Sequence, residues 1–309
     1  MNIITLTLNP AFDIHCYAEN FKPYCENLAE ITVREAGGKG INISRALTAN
    51  GVENTAVAVL GRENSAAFKD ILSADQIEVM EIAVDGRIRE NITLHTNNAP
   101  ETRISFSDSL ECGDVLERVR QILEDKANAD TVLTLTGRVP DGMHLGEVKD
   151  MLRDLSCRGV RIVLDSKSFG MRDIEYVSPW LIKPNEEEIG MYADTEISGL
   201  DDAVCAAKTL REKGIQNVMI SLGDKGAVLC CEDGCYIANA PRVEAVSTIG
   251  AGDSSIAGFI AAAKDGRSYA EILKTAVSYG TAACMTEGTR PPRREDIQAL
   301  IPLVKVQKI

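Results

Sequence analysis

The chain has 309 residues, of which 45% are hydrophobic, 26% charged and 5% aromatic, and its formal net charge is −13. That length suits one large α/β domain with an appendage, or two domains; the acidic balance disfavours broad binding to nucleic-acid backbones or anionic membranes, and the scarcity of aromatic rings disfavours a base-stacking platform. No apolar run approaches the roughly 18 residues that span a bilayer. The opening MNIITLTLNP lacks the basic region and small-residue cleavage site of a signal peptide, so a cytoplasmic protein is expected.

The first third predicts two sheet strands, ITLTLNP and TAVAVLG. Between and after them, YAENFKPYCENLAEITVREAGG and RIRENITLHTNNAPETRISFS are polar, β-prone and free of helical periodicity. Together they predict a small β appendage, a lid over a cleft, with strands contributed by about 12–36 and 87–107. From about residue 130, β-rich runs at 131–135, 161–164, 180–182 and 217–221 alternate with amphipathic segments, the pattern of βαβ units around a mainly parallel sheet. In one such segment Leu145, Val148, Met151, Leu152 and Leu155 recur at helical spacing and Gly159 marks the stop; in the next, Asp201 is the expected cap and Gly214 the terminator. Nine cysteines with one cluster, Cys230, Cys231 and Cys235 around the turn signal Asp233-Gly234, predict a β-hairpin in preference to a metal site, because no second ligand pair accompanies them.

Ligands of open parallel sheets bind outside the carboxyl ends of the strands. The residues that follow the predicted strands are Thr136-Gly137-Arg138, Asp165-Ser166-Lys167, Lys183-Pro184-Asn185-Glu186-Glu187-Glu188 and Gly223-Asp224-Lys225-Gly226. Polar, charged and glycine residues thus converge on one sheet edge, although turns are commonly polar for their own reasons.

Neither glycine-rich loop matches a familiar nucleotide fingerprint. In GGKG, Lys39 is followed by glycine instead of Ser or Thr, which excludes a Walker A motif, and in STIGAGDSS the final glycine of a dinucleotide fingerprint is Ser255. Gly250, Ala251 and Gly252 nevertheless predict an anion hole, since a tight backbone and a helix start aim N–H groups and a positive dipole end at one place. Asp253, at that helix start, is either an N-cap or the acceptor of a proton from a hydroxyl that attacks a bound phosphoryl group.

In order and spacing, TLNPAFD, GGKGINISRAL, RIRENITL, KPNEEE, SLGDKGA and STIGAGDSSIAGF resemble the ribokinase-like carbohydrate kinases of the phosphofructokinase B type. TLNPAFD and GGKGIN point to the branch containing 1-phosphofructokinase and tagatose-6-phosphate kinase. The resemblance spans most of the chain and implies one kinase domain over 1–309, a three-layer α/β/α sandwich with a mainly parallel central sheet and a small β-sheet lid. It also implies ATP and Mg²⁺ as cofactors and a small sugar phosphate as substrate, with no nucleic-acid or membrane partner. The oligomeric state stays open, with the exposed edges of a β lid available for pairing in a homodimer.

On single positions the resemblance implies Asp253 as catalytic base and Gly250, Ala251 and Gly252 as anion hole. Ser221, Gly223 and Gly226 would line the nucleotide phosphates beside Lys183, with Asn185 and Glu188 organising Mg²⁺ through water. Asp13, Gly38 and Asn42 would hold sugar hydroxyls. Lys39, Arg89 and Arg103 would hold the phosphate already on the sugar, with Asn91 nearby. Plain alternatives stand beside several of these: a solvated helix start for Glu188, an exposed strand position for Arg103 and a turn role for Asp13. Arg138 departs from the family, standing where a small hydroxyl residue is usual, and bears on substrate choice. The expected reaction is phosphorylation of fructose 1-phosphate to fructose 1,6-bisphosphate. Tagatose 6-phosphate is the alternative substrate, ahead of unphosphorylated sugars or nucleosides and of a non-catalytic sugar-phosphate sensor.

Overall fold

Strand β1 (Asn2–Thr7) has five of its six residues buried, as a parallel strand covered on both faces must. The computed structural model describes residues 1–107, 109–193 and 197–309. Around β1 it builds a parallel sheet from β4 (Thr55–Gly61), β5 (Val79–Val84), β8 (Thr131–Thr136), β9 (Arg161–Asp165), β10 (Leu181–Ile182) and β11 (Asn217–Ser221). Three antiparallel strands extend it: β12 (Ala227–Cys231), β13 (Gly234–Ala238) and β14 (Val306–Lys308). Among the described residues the order is β14-β13-β12-β11-β10-β9-β8-β1-β4-β5.

Helices cover both faces. On one, α1 (Lys39–Ala49), α8 (Ala251–Lys264), α9 (Tyr269–Ala283) and α10 (Arg294–Leu300) bury residues such as Leu47, Phe259 and Leu273. On the other, α3 (Val115–Lys126), α4 (Leu145–Cys157), α5 (Met171–Val177), α6 (Glu186–Ala193) and α7 (Leu200–Glu212) bury Val119, Leu152, Ile174, Ile189 and Ala207. The three-layer sandwich is therefore present, and the predicted stripe of α4 is its buried side, Val148, Met151, Leu152 and Leu155, with Leu145 partly buried against it.

A second sheet is ordered β3-β2-β6-β7, from β2 (Ala11–Ala18), β3 (Glu30–Gly37), β6 (Arg89–Thr96) and β7 (Thr102–Ser105). Strand alternation divides its faces. Phe12 and Ile14 pack with Phe68 and Leu72 of α2 (Ser65–Ala74) in a third core cluster. Asp13 and His15 lie on the opposite face, bonded to Asn91 and His95 of the neighbouring strand.

Three local expectations need correction, and one pairing is new. Residues 19–29 form no strand; Pro23 removes a donor, Tyr24 has φ +65°, and Asn27 stitches the loop to both backbone groups of Lys22. The N-cap of α7 is Gly199, which places Asp201 inside the first turn, where its charge still suits the helix dipole. The β12–β13 turn is centred on Glu232 and Asp233, with Gly234 (φ +119°) opening β13. Across that hairpin Cys230 and Cys235 are directly paired and disulfide-bonded.

Candidate active site

Sheet order reverses at β1, which has β8 on one side and β4 on the other, and such a switch point opens a crevice at the carboxyl ends. The start of α8 lies there. Its N-cap is Gly250, held at φ +79°, a left-handed conformation that glycine adopts without strain. A Cβ on Gly252 would come within 3.0 Å of Lys183 Nζ, so the buried ammonium packs directly against the loop.

Asp253, 7% exposed, follows at once. Its side chain is not engaged in capping; Oδ2 accepts a hydrogen bond from Asn42 Nδ2 at 2.9 Å. Burial pushes its carboxyl up to about 6, against the opposing pull of Lys39, the Asn42 amide and Lys183, and Asp165 adds to the rise. A carboxylate so poised is ionised at neutral pH yet basic enough to accept a proton.

Lys39 opens α1, and its Nζ lies 3.0 Å from Asp165 Oδ2 at the end of β9. Burial would lower its pKa, but Asp165, Asp253 and Glu188 together hold it above the ordinary lysine value. The residue expected at the sugar phosphate thus also neutralises the carboxylates around Asp253. Gly38 caps α1 at φ +125°, and a Cβ there would meet Thr7 Cγ2 at 2.8 Å.

The second sheet contributes a hydrogen-bonded chain. Arg89 Nε donates to Asn9 Oδ1 at 3.0 Å and Nη1 to Asn91 Oδ1 at 2.9 Å, while Asn91 Nδ2 donates to Asp13 Oδ1 at 2.8 Å. Burial raises the Asp13 pKa, and the Asn91 bond, Arg103 and Arg89 oppose that rise. Asp13 is therefore not simply a turn residue: it sits within strand β2, among two arginines.

On the other flank, Asn185 and Glu188 bond each other reciprocally, Glu188 N to Asn185 Oδ1 at 2.8 Å and Asn185 N to Glu188 Oε2 at 3.1 Å. This is the geometry of a capping box, so N-x-x-E has a structural task in the free chain. Glu188 is buried, and Lys167 Nζ approaches its Oε1 to 3.7 Å. Ser221 N donates to Pro184 O, which brings the KPNE and SLGDKG turns side by side. Gly223 and Gly226 both have positive φ, and a Cβ on Gly226 would fall 1.9 Å from Ala238 O.

Arg138 is exposed, and its Nη2 meets Asp141 Oδ1 at 2.6 Å. It shares a cavity of about 560 Å³ with Lys39, Gly137, Lys167 and Ser168. The residues expected from the sequence therefore lie at the strand ends of the large sheet or on the smaller sheet, with Arg103 on the exposed strand β7. Two were missed as site members. Asp165 carried only the signal of a strand-end carboxylate. Glu35 carried none, yet its Oε2 accepts from Thr289 N at 3.1 Å and Thr289 Oγ1 at 2.8 Å, joining β3 to the loop beside Gly250.

Among the described residues no group of three or more His, Cys, Asp or Glu is arranged to hold a metal ion. An ion carried in on nucleotide phosphates takes its remaining ligands largely from water and one or two carboxylates, and the buried Glu188, with Asn185 bonded to it beside the strand-end loops, fits that role. No described helix is long and apolar enough to cross a membrane.

The family profile of pfkB carbohydrate kinases matches residues 7–296. The chain belongs to that family. It is a carbohydrate kinase with the ribokinase-like fold. A protein named 1-phosphofructokinase from Bacillus subtilis is 29% identical over 309 residues, covering 99% of this chain and all of its own. One of the same name from Haemophilus influenzae is 32% identical over 281 residues, covering 90% of each. Among solved structures, phosphofructokinase-2 from Escherichia coli in complex with fructose-6-phosphate superposes with TM-score 0.90 at 24% identity over 98% of each chain, a likeness of fold.

Proposed function

We propose that this kinase transfers the γ-phosphoryl group of ATP to the 6-hydroxyl of fructose 1-phosphate. The observation that carries the reading is Asp253: a buried carboxylate immediately behind the Gly250–Ala251–Gly252 turn, uninvolved in capping, aligned by Asn42 and faced by Lys39 and Lys183. Asp253 accepts the hydroxyl proton as the sugar oxygen bonds to phosphorus and the bond to the ADP oxygen breaks. Backbone N–H groups at the start of α8 receive the equatorial charge, with Lys183 beside them. Asn185 and Glu188 would hold, through water, the magnesium ion that accompanies the nucleotide, and that ion would supply further neutralisation of the phosphates. Ser221, Gly223 and Gly226 line the nucleotide side.

The anionic end of the sugar is met by Arg89 and Arg103, with Lys39 and Arg138 on the cavity side, while Asp13, Gly38, Asn42 and Asn91 engage hydroxyls. Relatives at 29 and 32% identity named 1-phosphofructokinase support this choice of substrate. The smaller sheet acts as a lid that excludes water, which suppresses ATP hydrolysis. Its outer apolar residues, Ile31, Ile104 and Phe106, are exposed, and we assign them to a homodimer contact.

ADP release measured at fixed ATP and Mg²⁺ with fructose 1-phosphate, tagatose 6-phosphate, fructose 6-phosphate and ribose tests the reading. Highest kcat/KM with fructose 1-phosphate supports it; preference for tagatose 6-phosphate or for ribose replaces the substrate assignment. Undiminished turnover in Asp253→Asn removes the base.

A further inference from the structure

Asn42 is itself held. Arg45, one turn further along α1, is 4% exposed, and its guanidinium is used in three directions. Nε donates to Asp75 Oδ2 at 2.7 Å, Nη2 to the Ala36 carbonyl of β3 at 2.7 Å, and Nη1 to Asn42 Oδ1 at 3.3 Å. From the same amide, Asn42 Nδ2 then reaches Asp253 Oδ2.

We propose that Arg45 is a positioning residue for phosphoryl transfer, fixing the Asn42 amide so that its NH₂ group faces Asp253 and sets the direction of that carboxylate. The donor inventory makes this orientation unique. A guanidinium can only donate and a carboxylate can only accept, so an amide between them has one arrangement that satisfies both ends. Rotating the amide by half a turn would set NH₂ against guanidinium and oxygen against carboxylate. A buried guanidinium needs partners on every side, and Asp75 and Ala36 O hold it while leaving Nη1 for Asn42. Because Ala36 belongs to β3, the same side chain also registers the smaller sheet against the helix that carries Asn42.

Asp253 is faced by Lys39 and Asn42 from α1, by Lys183 after β10 and by Asp165 at the end of β9. Arg45 does not touch it. The contact by which Arg45 reaches it is the Asn42 hydrogen bond, which favours the ionised carboxylate.

The proposal rests on the reading of Asp253 as proton acceptor, but its test does not. Carboxyl-¹³C-labelled aspartate, with the Asp253 resonance assigned by its loss in Asp253→Asn, gives the Asp253 titration directly by NMR. Asn42→Ala is expected to raise its midpoint by roughly half a unit to one unit, the size of one lost hydrogen bond to the charged form. Arg45→Met should raise it equally, the double variant no further, and Arg45→Lys by an intermediate amount. In turnover the acid limb of kcat should move with the NMR midpoint, and kcat at pH 6 should fall severalfold while the ATP KM is unchanged. If Arg45→Met unfolds, Arg45→Lys carries the same comparison. A normal Asp253 midpoint in the Arg45 variants, or additive shifts in the double variant, overturns the positioning role. Full activity in Asp253→Asn with the NMR shifts intact would overturn only the base assignment.

Discussion

Lys39 Nζ and Asp165 Oδ2 lie 3.0 Å apart across 126 positions of sequence, at the mouth of the crevice that holds Asp253. The pair holds a partly exposed lysine in its charged form and so supplies Asp253 with a nearby cation. Lys39→Met should raise the Asp253 midpoint and move the acid limb of kcat upward by about one unit, the scale of losing one close opposite charge. It should also lower kcat. A pH–rate profile unchanged in position would show that Lys39 acts on the sugar phosphate alone.

Asp253 is buried with a folded midpoint of about 6 against an ordinary 3.8. Between those values the folded state holds more protons than the unfolded one, so this group's contribution to stability falls as pH rises through that window and stays low above it. Asp253→Asn should therefore be more stable than the parent at pH 8, by on the order of 1–3 kcal/mol from a shift of about two units. At pH 4 the gain should be much smaller. The same variant should lose roughly 10²–10⁴-fold in kcat, as for a missing general base. Thermal melts at the two pH values, paired with ADP-release rates, check both halves.

Gly37 leaves no room for a side chain. A Cβ there would lie 2.0 Å from Asp13 Oδ2 and 3.1 Å from the Ala11 carbonyl. Gly37→Ala should push Asp13 off its Asn91 contact and raise the sugar KM about tenfold or more, the loss of one or two charge-assisted hydrogen bonds, with the ATP KM little changed. Equal changes in both KM values would point to general misfolding of the cleft.

Glu35 joins β3 to Thr289 and, at 4.0 Å, to Arg290. Glu35→Ala leaves the Thr289 N–H without its acceptor at a buried position, a cost of about 1–3 kcal/mol. Hydrogen exchange at Thr289 and along β3 should accelerate, and the sugar KM should rise more than kcat falls. Unchanged protection of those amides would show that the two sheets are held together elsewhere.

The exposed Ile104 lies on the outer strand of the smaller sheet, and the exposed Phe106 just beyond its end. Ile104→Lys should convert a dimer to monomer in analytical ultracentrifugation while the melting temperature changes little, since the site is already solvent-facing within one chain. Parent and variant sedimenting alike would dispose of the lid-mediated dimer.

The sheet and its helices were legible where hydrophobic periodicity was strong and local. In α4 the stripe from Val148 to Leu155 is the buried face itself, and β8 and β9 appear where apolar runs demanded them. Residues 19–29 looked like strand because β-prone residues surround Pro23, whereas side-chain bonds from Asn27 decide the loop. The helix start at Gly250 could be read because its glycines and Asp253 stand next to one another in the chain. Asp165, Arg45 and Glu35 could not, because their roles come from partners distant in sequence: Lys39, the Asn42–Asp253 pair and Thr289. The Cys230–Cys235 pairing depends on strand register, which the turn shift of one residue fixes.

The hydrogen bond from Asn42 to Asp253 closes a span of 211 positions. Contacts of such sequence separation form late, after the costly closure of a long loop, and a chain emerging from its N-terminus folds in the order it is made. Until α8 docks on α1, a growing chain can assemble its first strands and the smaller sheet but has no Asn42–Asp253 pair in place. With Asp253 as the proton acceptor proposed above, nascent copies would consume no nucleotide, and catalytic competence would itself mark the completion of folding.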